Sequence, residues 1–509
     1  MLLTSIPNST NSGDDAMLLT SILCVPLLVG LLCLVARPRI LLEALNIAGF
    51  TVTLVLGVGL VQAVLAQPGA AVTEWHEFLC ADALSAWMVL LISVVSLTTS
   101  LYAVHYVRRD LASGALTALR VREFYVLTPI FTTGMFLVVL ANNLGVMWAA
   151  AEVTALSSVL LVALYNHKTS LEAAWKYIML GSVGLVLALF GTICAYAAAI
   201  PPGGGEAMPS FNWSQLLALA PHLNPRLITL AFIFVLVGYG TKAGLAPMHT
   251  WLPDAHSEAP SPTSAMLSGV SLKVAVYALL RFHILTTACL GAGFSRHLLL
   301  GFGLLSMALA GPFILTQKNL KRMLAYSSLE HVGLICVAVG LNSPLTVFGA
   351  LLHMGYHALA KPVLFFAAGN IHQHYHTLDF RRIGGGVARA LPVTAVVLGL
   401  AAVAVSGLPP FGLFVSELII VTGGFTSRQA WVSAVLLAAL IVVFCGVLMK
   451  LAGLLLGPAR AEHPREQMPV GHAVAMSLPL VVLLVFSLWV PDSLRQLMEQ
   501  AANIIRGTP

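Results

Sequence analysis

Long apolar runs dominate this chain, and they leave one class of fold open. A helix needs about 20 apolar residues to cross roughly 30 Å of hydrocarbon. Fourteen such runs can be read, near residues 17–36, 41–66, 82–106, 124–141, 144–165, 171–200, 227–249, 263–288, 297–316, 323–341, 345–371, 388–424, 430–456 and 471–490. Inside a bilayer every backbone N–H and C=O must be satisfied within a helix or a closed barrel. A barrel would show strands of about ten residues with alternating polarity, and these runs do not alternate. Charged residues are 9% of the 509 and hydrophobic residues 59%, against about 25% charged in soluble domains. The expectation is an all-α polytopic membrane protein with about 14 transmembrane helices.

Other composition signals narrow the chemistry. The net charge of +6 is spread over short loops and does not indicate nucleic acid. The cysteines, Cys24, Cys33, Cys80, Cys194, Cys289, Cys336 and Cys445, contain no CxxC pair, and most lie inside apolar runs. Iron–sulfur and zinc sites need clustered thiolates, so neither a metal nor a cofactor is expected in this chain. No GxGxxG or Walker loop points to a nucleotide.

Orientation follows from Lys and Arg in the loops. The odd-numbered loops hold Arg37, Arg39, Arg108, Arg109, Arg120, Arg122, Lys168, Lys176, Lys318, Lys321, Arg322, Arg381, Arg382, Arg389, Arg460 and Arg465, and the even-numbered ones only Arg226, Arg296 and Arg428. The odd loops are therefore expected in the cytoplasm and both termini outside it. At the N-terminus MLLTSI occurs twice, at 1–6 and 17–22, with a polar stretch from Pro7 to Ala16 expected to be disordered, so Met1 and Met17 both qualify as starts. The segment has no basic n-region, and no cleaved signal peptide is expected.

Several ionisable residues fall inside the runs, where each costs a few kcal/mol unless it faces protein or water. They are Glu152 in span 5, Lys242 in span 7, Lys273 in span 8, His353, His357 and Lys361 in span 11, and Glu417 in span 12. Any one of them alone could be a helix-packing ion pair or a satisfied core histidine. Together, acids and bases on five spans make a polar line across the bilayer. His353, His357 and Lys361 follow an i, i+4, i+8 spacing, a stripe about 80° wide, and neutral histidines beside a lysine can pass protons. Arg281, near the outer end of span 8, is expected to snorkel to the interface. Lys318, Lys321 and Arg322 are expected to be solvated loop residues.

Two spans carry helix breakers. Span 7 contains Gly244-Leu245-Ala246-Pro247, just after Lys242, and span 12 contains Gly407-Leu408-Pro409-Pro410, ahead of Glu417. Matching Gly/Pro interruptions in two halves of a transporter point to inverted repeats with ion sites near the midplane.

These residues carry a resemblance. The run GTKAGLAPMHTWLPDAHSEAPSPTSAMLSGVSLKVAVYALLRF (240–282), followed in order by LKRMLAYSSLEHVG (320–333), LLHMGYHALAKPVLFFAAGNI (351–371) and GLPPFGLFVSELII (407–420), resembles the signatures of a known family. It is that of the antiporter-like subunits of respiratory complex I, membrane-bound NiFe hydrogenases and Mrp cation/proton antiporters. The segments 148–184 and 238–262 are most similar to component F of hydrogenase-4-type complexes. The resemblance implies fourteen helices with two inverted five-helix repeats (124–288, helices 4–8, and 297–456, helices 9–13) and broken helices 7 and 12. Helices 1–3 would then occupy 17–123, after a tail at 1–16, and helix 14 with a C-terminal tail 471–509.

It also implies roles. Glu152 would pair with Lys242, the proton site of the first half; Lys273 would bridge the halves; His353 and His357 would connect them, with Lys361 on the same stripe; Glu417 would be the terminal site. His249, Asp254 and His331 fall in the same motifs as possible supporting residues. About 19 residues follow span 14, so the long lateral helix of the complex I L-type subunit is not expected. The implied function is proton translocation in a redox-driven complex of the group 4 NiFe-hydrogenase type (formate hydrogenlyase or hydrogenase-4), in a bacterial or archaeal inner membrane. The alternatives are an Mrp-type antiporter subunit or a complex I M-type subunit. Fe–S clusters and NiFe or other redox centres would sit on partner subunits, in a peripheral arm beside other integral membrane subunits.

Overall fold

The computed structural model describes residues 17–201, 210–427, 429–459 and 464–507. The expected tail at 1–16, and Arg428 and Arg460 from the loop count, lie outside them. Among the described residues, twelve helices are long and apolar enough to cross a membrane: Leu18–Val35, Arg39–Ala66, Ala83–Ala112, Ala118–Leu140, Leu144–Val162, Lys168–Ala197, Pro225–Ala243, Ser261–Leu290, Gly293–Thr316, Leu320–Leu341, Ala430–Leu456 and Val470–Leu488. Span 11 is Pro344–Tyr375, 32 residues long and carrying the His–His–Lys stripe. Span 12 is the pair Pro392–Val405 and Gly412–Thr426. The fold is the all-helical, fourteen-span architecture expected from the sequence.

Both breaks fall where Gly and Pro placed them. Span 7 ends at Ala243, and a short helix Trp251–Glu258 resumes it. Gly244 (φ 76°) and Gly407 (φ 66°) are both left-handed, a conformation that Gly adopts without a Cβ penalty.

Burial ranks the helices. The central stretches of spans 8 and 10 are wholly buried inside the protein, whereas spans 1 and 13 bury a third of theirs. Lys273 rides on one of the two wholly buried spans, whereas Glu152 and Lys242 ride on spans 5 and 7, which are 56% and 61% buried. Close backbone approach makes this packing possible. A Cβ on Gly238 of span 7 would lie 2.5 Å from Ala188 N and Gly184 O of span 6, and one on Gly303 of span 9 would lie 2.6 Å from Gly333 O of span 10. Small residues at helix contacts are how membrane helices gain van der Waals contact without a hydrophobic driving force.

Helix ends depart from the expected boundaries. Span 3 runs to Ala112 and span 4 begins at Ala118, so Arg108, Arg109, Arg120 and Arg122 sit on helix ends rather than in loops. There they find acids: Arg108 binds Glu43 of span 2 (Nε–Oε1 3.0 Å) and Arg109 binds Glu466 before span 14. Burial raises the Glu466 carboxyl, but Arg109 and His374 outweigh it and hold it below the usual carboxylate range. A hairpin, Val72–Glu74 with Leu79–Ala81, joins spans 2 and 3. Its Glu74 accepts hydrogen bonds from Leu19 N (2.8 Å) and Thr20 N (3.0 Å), satisfying free donors at the start of span 1. The expected C-terminal tail is instead a helix, Asp492–Arg506, that buries Leu497, Met498, Ala501, Ala502 and Ile505.

Two loop expectations are corrected. Lys321 is buried in the first turn of span 10 and donates to Ala259 O (2.9 Å), because the resumed half of span 7 covers it. Arg281 does not snorkel. It is buried and forked onto Asp82, at the start of span 3 (2.6 and 2.7 Å). Lys318 is exposed as expected, and Arg322 binds Asp254.

The Gly238 contact predicts a large effect of bulk. Gly238→Leu should cost about 1–3 kcal/mol, as overpacking does, and lower the thermal unfolding temperature of the detergent-purified protein. Gly301→Leu, where a Cβ meets nothing within 4 Å, should leave that temperature unchanged.

Candidate functional site

The ionisable residues gather in the buried middle of the bundle, and the centre is Lys273. Just before it, span 8 makes a π-helical turn, Leu267–Ser271. Such a turn shifts the i→i+4 ladder and leaves carbonyls free to bind other donors. Lys273 Nζ takes two of them, Ser268 O (3.2 Å) and Gly269 O (2.6 Å). Its third neighbour is His357 Nδ1 of span 11, at 2.7 Å.

From there a row of imidazoles runs toward span 12. The His357 and His331 rings meet edge to face with centroids 4.6 Å apart. His331 Nδ1 lies 3.0 Å from His353 Nε2, and His353 Nδ1 lies 2.9 Å from Ser416 Oγ. Ser416 donates its one hydrogen to Leu413 O (2.9 Å), so it must accept from His353 Nδ1–H. With His353 neutral, its Nε2 is then a bare acceptor, and His331 must donate from Nδ1. That leaves His331 Nε2 as a lone pair, while His357, accepting from the Lys273 ammonium at Nδ1, carries its proton on Nε2. Neither His331 Nε2 nor His357 Nε2 makes a hydrogen bond. The tautomers therefore run donor to acceptor in two stretches, Lys273 to His357 and His331 through His353 to Ser416, with a ring contact and no hydrogen bond between His357 and His331.

Glu417 closes the row. One ligand-type atom each from His331, His353 and Glu417 lies within 4.8 Å of the others. The Glu417 carboxylate packs on Gly407, where a Cβ would come within 2.1 Å of Oε2; the broken helix makes room for the acid. Two histidines and a carboxylate could also hold a zinc-like ion, but the two imidazoles here are hydrogen-bonded to each other.

Glu330 was not singled out from the sequence, although it sits in the quoted LEHVG motif. It is fully buried, 3.2 Å from His331 Nδ1, and neither carboxylate oxygen makes a hydrogen bond. The rule that flagged the other intramembrane charges would have found it. Lys361 lies near enough for its charge to act on Glu330, and donates to Leu324 O (2.9 Å) and Ser327 Oγ (2.8 Å).

The first half is arranged differently. Lys242 and Glu152 form no ion pair. Lys242 Nζ donates to Tyr177 OH (3.1 Å), which lies 2.8 Å from Ser158 Oγ and whose ring stacks on Trp251. Glu152 is half-buried, and the charge of Lys242 still reaches it through space. No direct hydrogen bond links Lys242 to Lys273 among the described residues. Of the supporting candidates, His331 joins the row. His249 is buried beside Phe313 and Tyr326, and Asp254 binds Arg322 and Lys176 away from the row.

A fourteen-span bundle with two broken helices and a line of buried lysines, histidines and carboxylates defines an antiporter-like membrane subunit of the complex-I-like kind. A family model described as "NADH:quinone oxidoreductase/Mrp antiporter, TM" matches residues 141–442, and the chain belongs to that family. A hydrogenase-4 component F homolog of Methylacidiphilum infernorum is 39% identical over 386 residues, 76% of this chain and 80% of that one. Among solved structures, a chain of the Mrp complex from Dietzia sp. DQ12-45-1b superposes with a TM-score of 0.83 at 22% identity, covering 96% of this chain and 97% of that chain. A chain of the archaeal membrane-bound sulfane sulfur reductase gives 0.82 at 23%, with the same coverage. At those identities the likeness is one of fold.

The tautomer chain makes Ser416 testable. Ser416→Ala removes the acceptor that fixes His353, a loss worth about 0.5–1.5 kcal/mol. Proton-coupled turnover should fall up to about tenfold with assembly intact, whereas Ser416→Thr, which keeps the hydroxyl, should retain most of it; stopped-flow pH-dye measurements on reconstituted complex read both.

Proposed function

We propose that this chain is the proton-translocating membrane subunit of a complex-I-like, redox-driven assembly of the group 4 NiFe-hydrogenase, hydrogenase-4 type. The row Lys273–His357–His331–His353 beside Glu417 carries the reading: the groups lie in sequence across spans 8, 10, 11 and 12, in tautomers that can hand a proton along. The hydrogenase-4 component F homolog, similar over most of both chains, supports the type of complex. Redox centres would lie on partner subunits in a peripheral arm, with other integral membrane subunits alongside.

The donor set favours protons over sodium. Hard cations want cages of oxygen ligands; this row offers mainly imidazole nitrogens, with one carboxylate, Glu417, at its end, and the ammonium groups of Lys273 and Lys361 act on those imidazoles, which repels a metal cation. The two repeats, 124–288 and 297–456, would each supply half the route. In the first, Lys242 and Glu152 act as a switch. When the pair closes to about 4 Å, its attraction is about 4 kcal/mol at an effective dielectric of 20, or roughly three pKa units. With Lys242 held by Tyr177, the arrangement corresponds to the open state of that switch. By the charge count both termini would lie on the outer side of a bacterial or archaeal inner membrane.

Neutralising a relay group should abolish transport without dismantling the complex. Lys242→Met and Lys273→Ala should each lower redox-driven proton translocation by about 10²–10⁴-fold, the usual contribution of a positioned acid–base group. Lys318→Gln, at an exposed position, should not change it. Unchanged translocation by the assembled Lys273→Ala complex, followed with a pH-sensitive dye in vesicles, would contradict this function.

A further inference from the structure

Lys242 borders a space that the row described above does not use. A cavity of about 10 Å³ touches Lys242, Tyr239, Thr154, Ser271 and Ala278, about the room one water needs. Tyr239 is fully buried there, and its hydroxyl makes no hydrogen bond. A buried hydroxyl left without a protein partner beside such a space marks a hydration site. A second cavity of about 10 Å³ touches Met147, Tyr277, Arg281, Asp82 and Cys80. The two share no lining residue but border the same faces of spans 4, 5 and 8. On span 5 the lining passes from Ala151 to Met147 and Leu144, on span 8 from Val274 and Ala278 to Arg281, and on span 4 from Val138 to Ala141 just beyond its end. These are steps of three, four or seven residues, the same faces one or two turns further along.

At the far end stands a built cluster. Arg281 forks onto Asp82, donates from Nε to Tyr277 OH (2.9 Å) and from Nη2 to Ser85 Oγ (2.9 Å), and lies over the Trp213 ring (4.5 Å). Tyr277 in turn donates to Val139 O (2.9 Å). A guanidinium keeps its charge at any physiological pH, so at the mouth of a narrow route it repels hydronium without serving as a proton carrier.

We propose that the seam between spans 4, 5 and 8 is a hydrated route from Lys242 to the membrane face that carries the 67–82 loop, and that the Arg281–Asp82 pair is its gate. The proposal rests on the reading of Lys242 as a proton site. With the pair formed, the first half is closed to that face. When Arg281 swings from Asp82, water joins the two cavities, and Lys242 exchanges protons with that face along them.

The test is passive proton flux across vesicles holding the intact complex, with no redox substrate and an imposed pH difference. Arg281→Ala and Asp82→Asn should each raise the flux about tenfold or more, equivalent to lowering a barrier by about 1.4 kcal/mol. Arg281→Lys should leak less than Arg281→Ala, and adding Lys242→Met should reseal either leaky variant. Because Arg281→Ala could fail to assemble, Ala278→Cys in a Cys80→Ser background provides a second measurement. It should react with a membrane-impermeant cationic thiol reagent from the face of the 67–82 loop, faster when combined with Asp82→Asn. Tight membranes in both gate variants, a leak that survives Lys242→Met, or an unreactive Cys at 278 with and without Asp82→Asn would each overturn the gate. Redox-driven translocation lost in Lys242→Met while the gate variants stay tight sinks the gate alone; translocation intact in Lys242→Met sinks the reading beneath it.

Discussion

A buried ammonium has to be solvated by protein, and much of this structure serves that requirement at Lys273. The π turn at Leu267–Ser271 presents the carbonyls of Ser268 and Gly269, and His357 completes the shell. Each of these commits another element. The irregular turn is tolerable only where no lipid reaches the backbone, so span 8 must be buried all round, as it is. His357 must come from a helix packed directly against that turn, and span 11 supplies it, with Gly269 close enough that a Cβ would meet Pro362 at 3.2 Å. The polar row fixes which helices can be central and leaves the apolar ones to face lipid.

The two broken helices meet the same requirement in different ways. In span 12 the left-handed Gly407 leaves the space that the Glu417 carboxylate fills. In span 7 the left-handed Gly244 ends the helix just after Lys242 and turns the chain so that Trp251 stacks on Tyr177, the ring that holds the ammonium, while Trp251 Nε1 donates back to Thr241 O (2.8 Å). One break creates room for an acid, and the other builds an aromatic wall beside a base. The chemistry at each break differs although the backbone device is shared.

Much of this was legible in the residues. Apolar runs marked all fourteen spans, the Gly/Pro tetrapeptides marked both breaks, and the i, i+4, i+8 spacing placed His353, His357 and Lys361 on one buried helix. What escaped the sequence depends on distant partners. Lys321 reads as a loop lysine until the carbonyl of Ala259, 62 residues away, covers it. Arg281 reads as a snorkelling residue because Asp82 lies 199 residues off in the chain. Helix ends were misplaced where Arg108 and Arg109 extend a helix past its apolar stretch toward acids on other segments. Glu330 differs: it lies mid-span like the others, and its carboxylate is as deeply buried as any histidine in the row.

Arginine and lysine are used here for opposite purposes, and their chemistry explains the placement. Lys242, Lys273 and Lys361 stand among carbonyls, hydroxyls and an imidazole, with no carboxylate in ion-pair contact. An ammonium so placed can give up its proton without stranding a bound counter-charge. Arg281, by contrast, is forked onto Asp82 and further tied to Tyr277 and Ser85. A guanidinium cannot deprotonate, and removing either member of such a buried pair leaves an uncompensated charge, a loss of about 3–5 kcal/mol. Under the proposed function, lysines occupy the positions where charge must come and go, and arginine the position where charge must stay, at the end of the proposed route from Lys242.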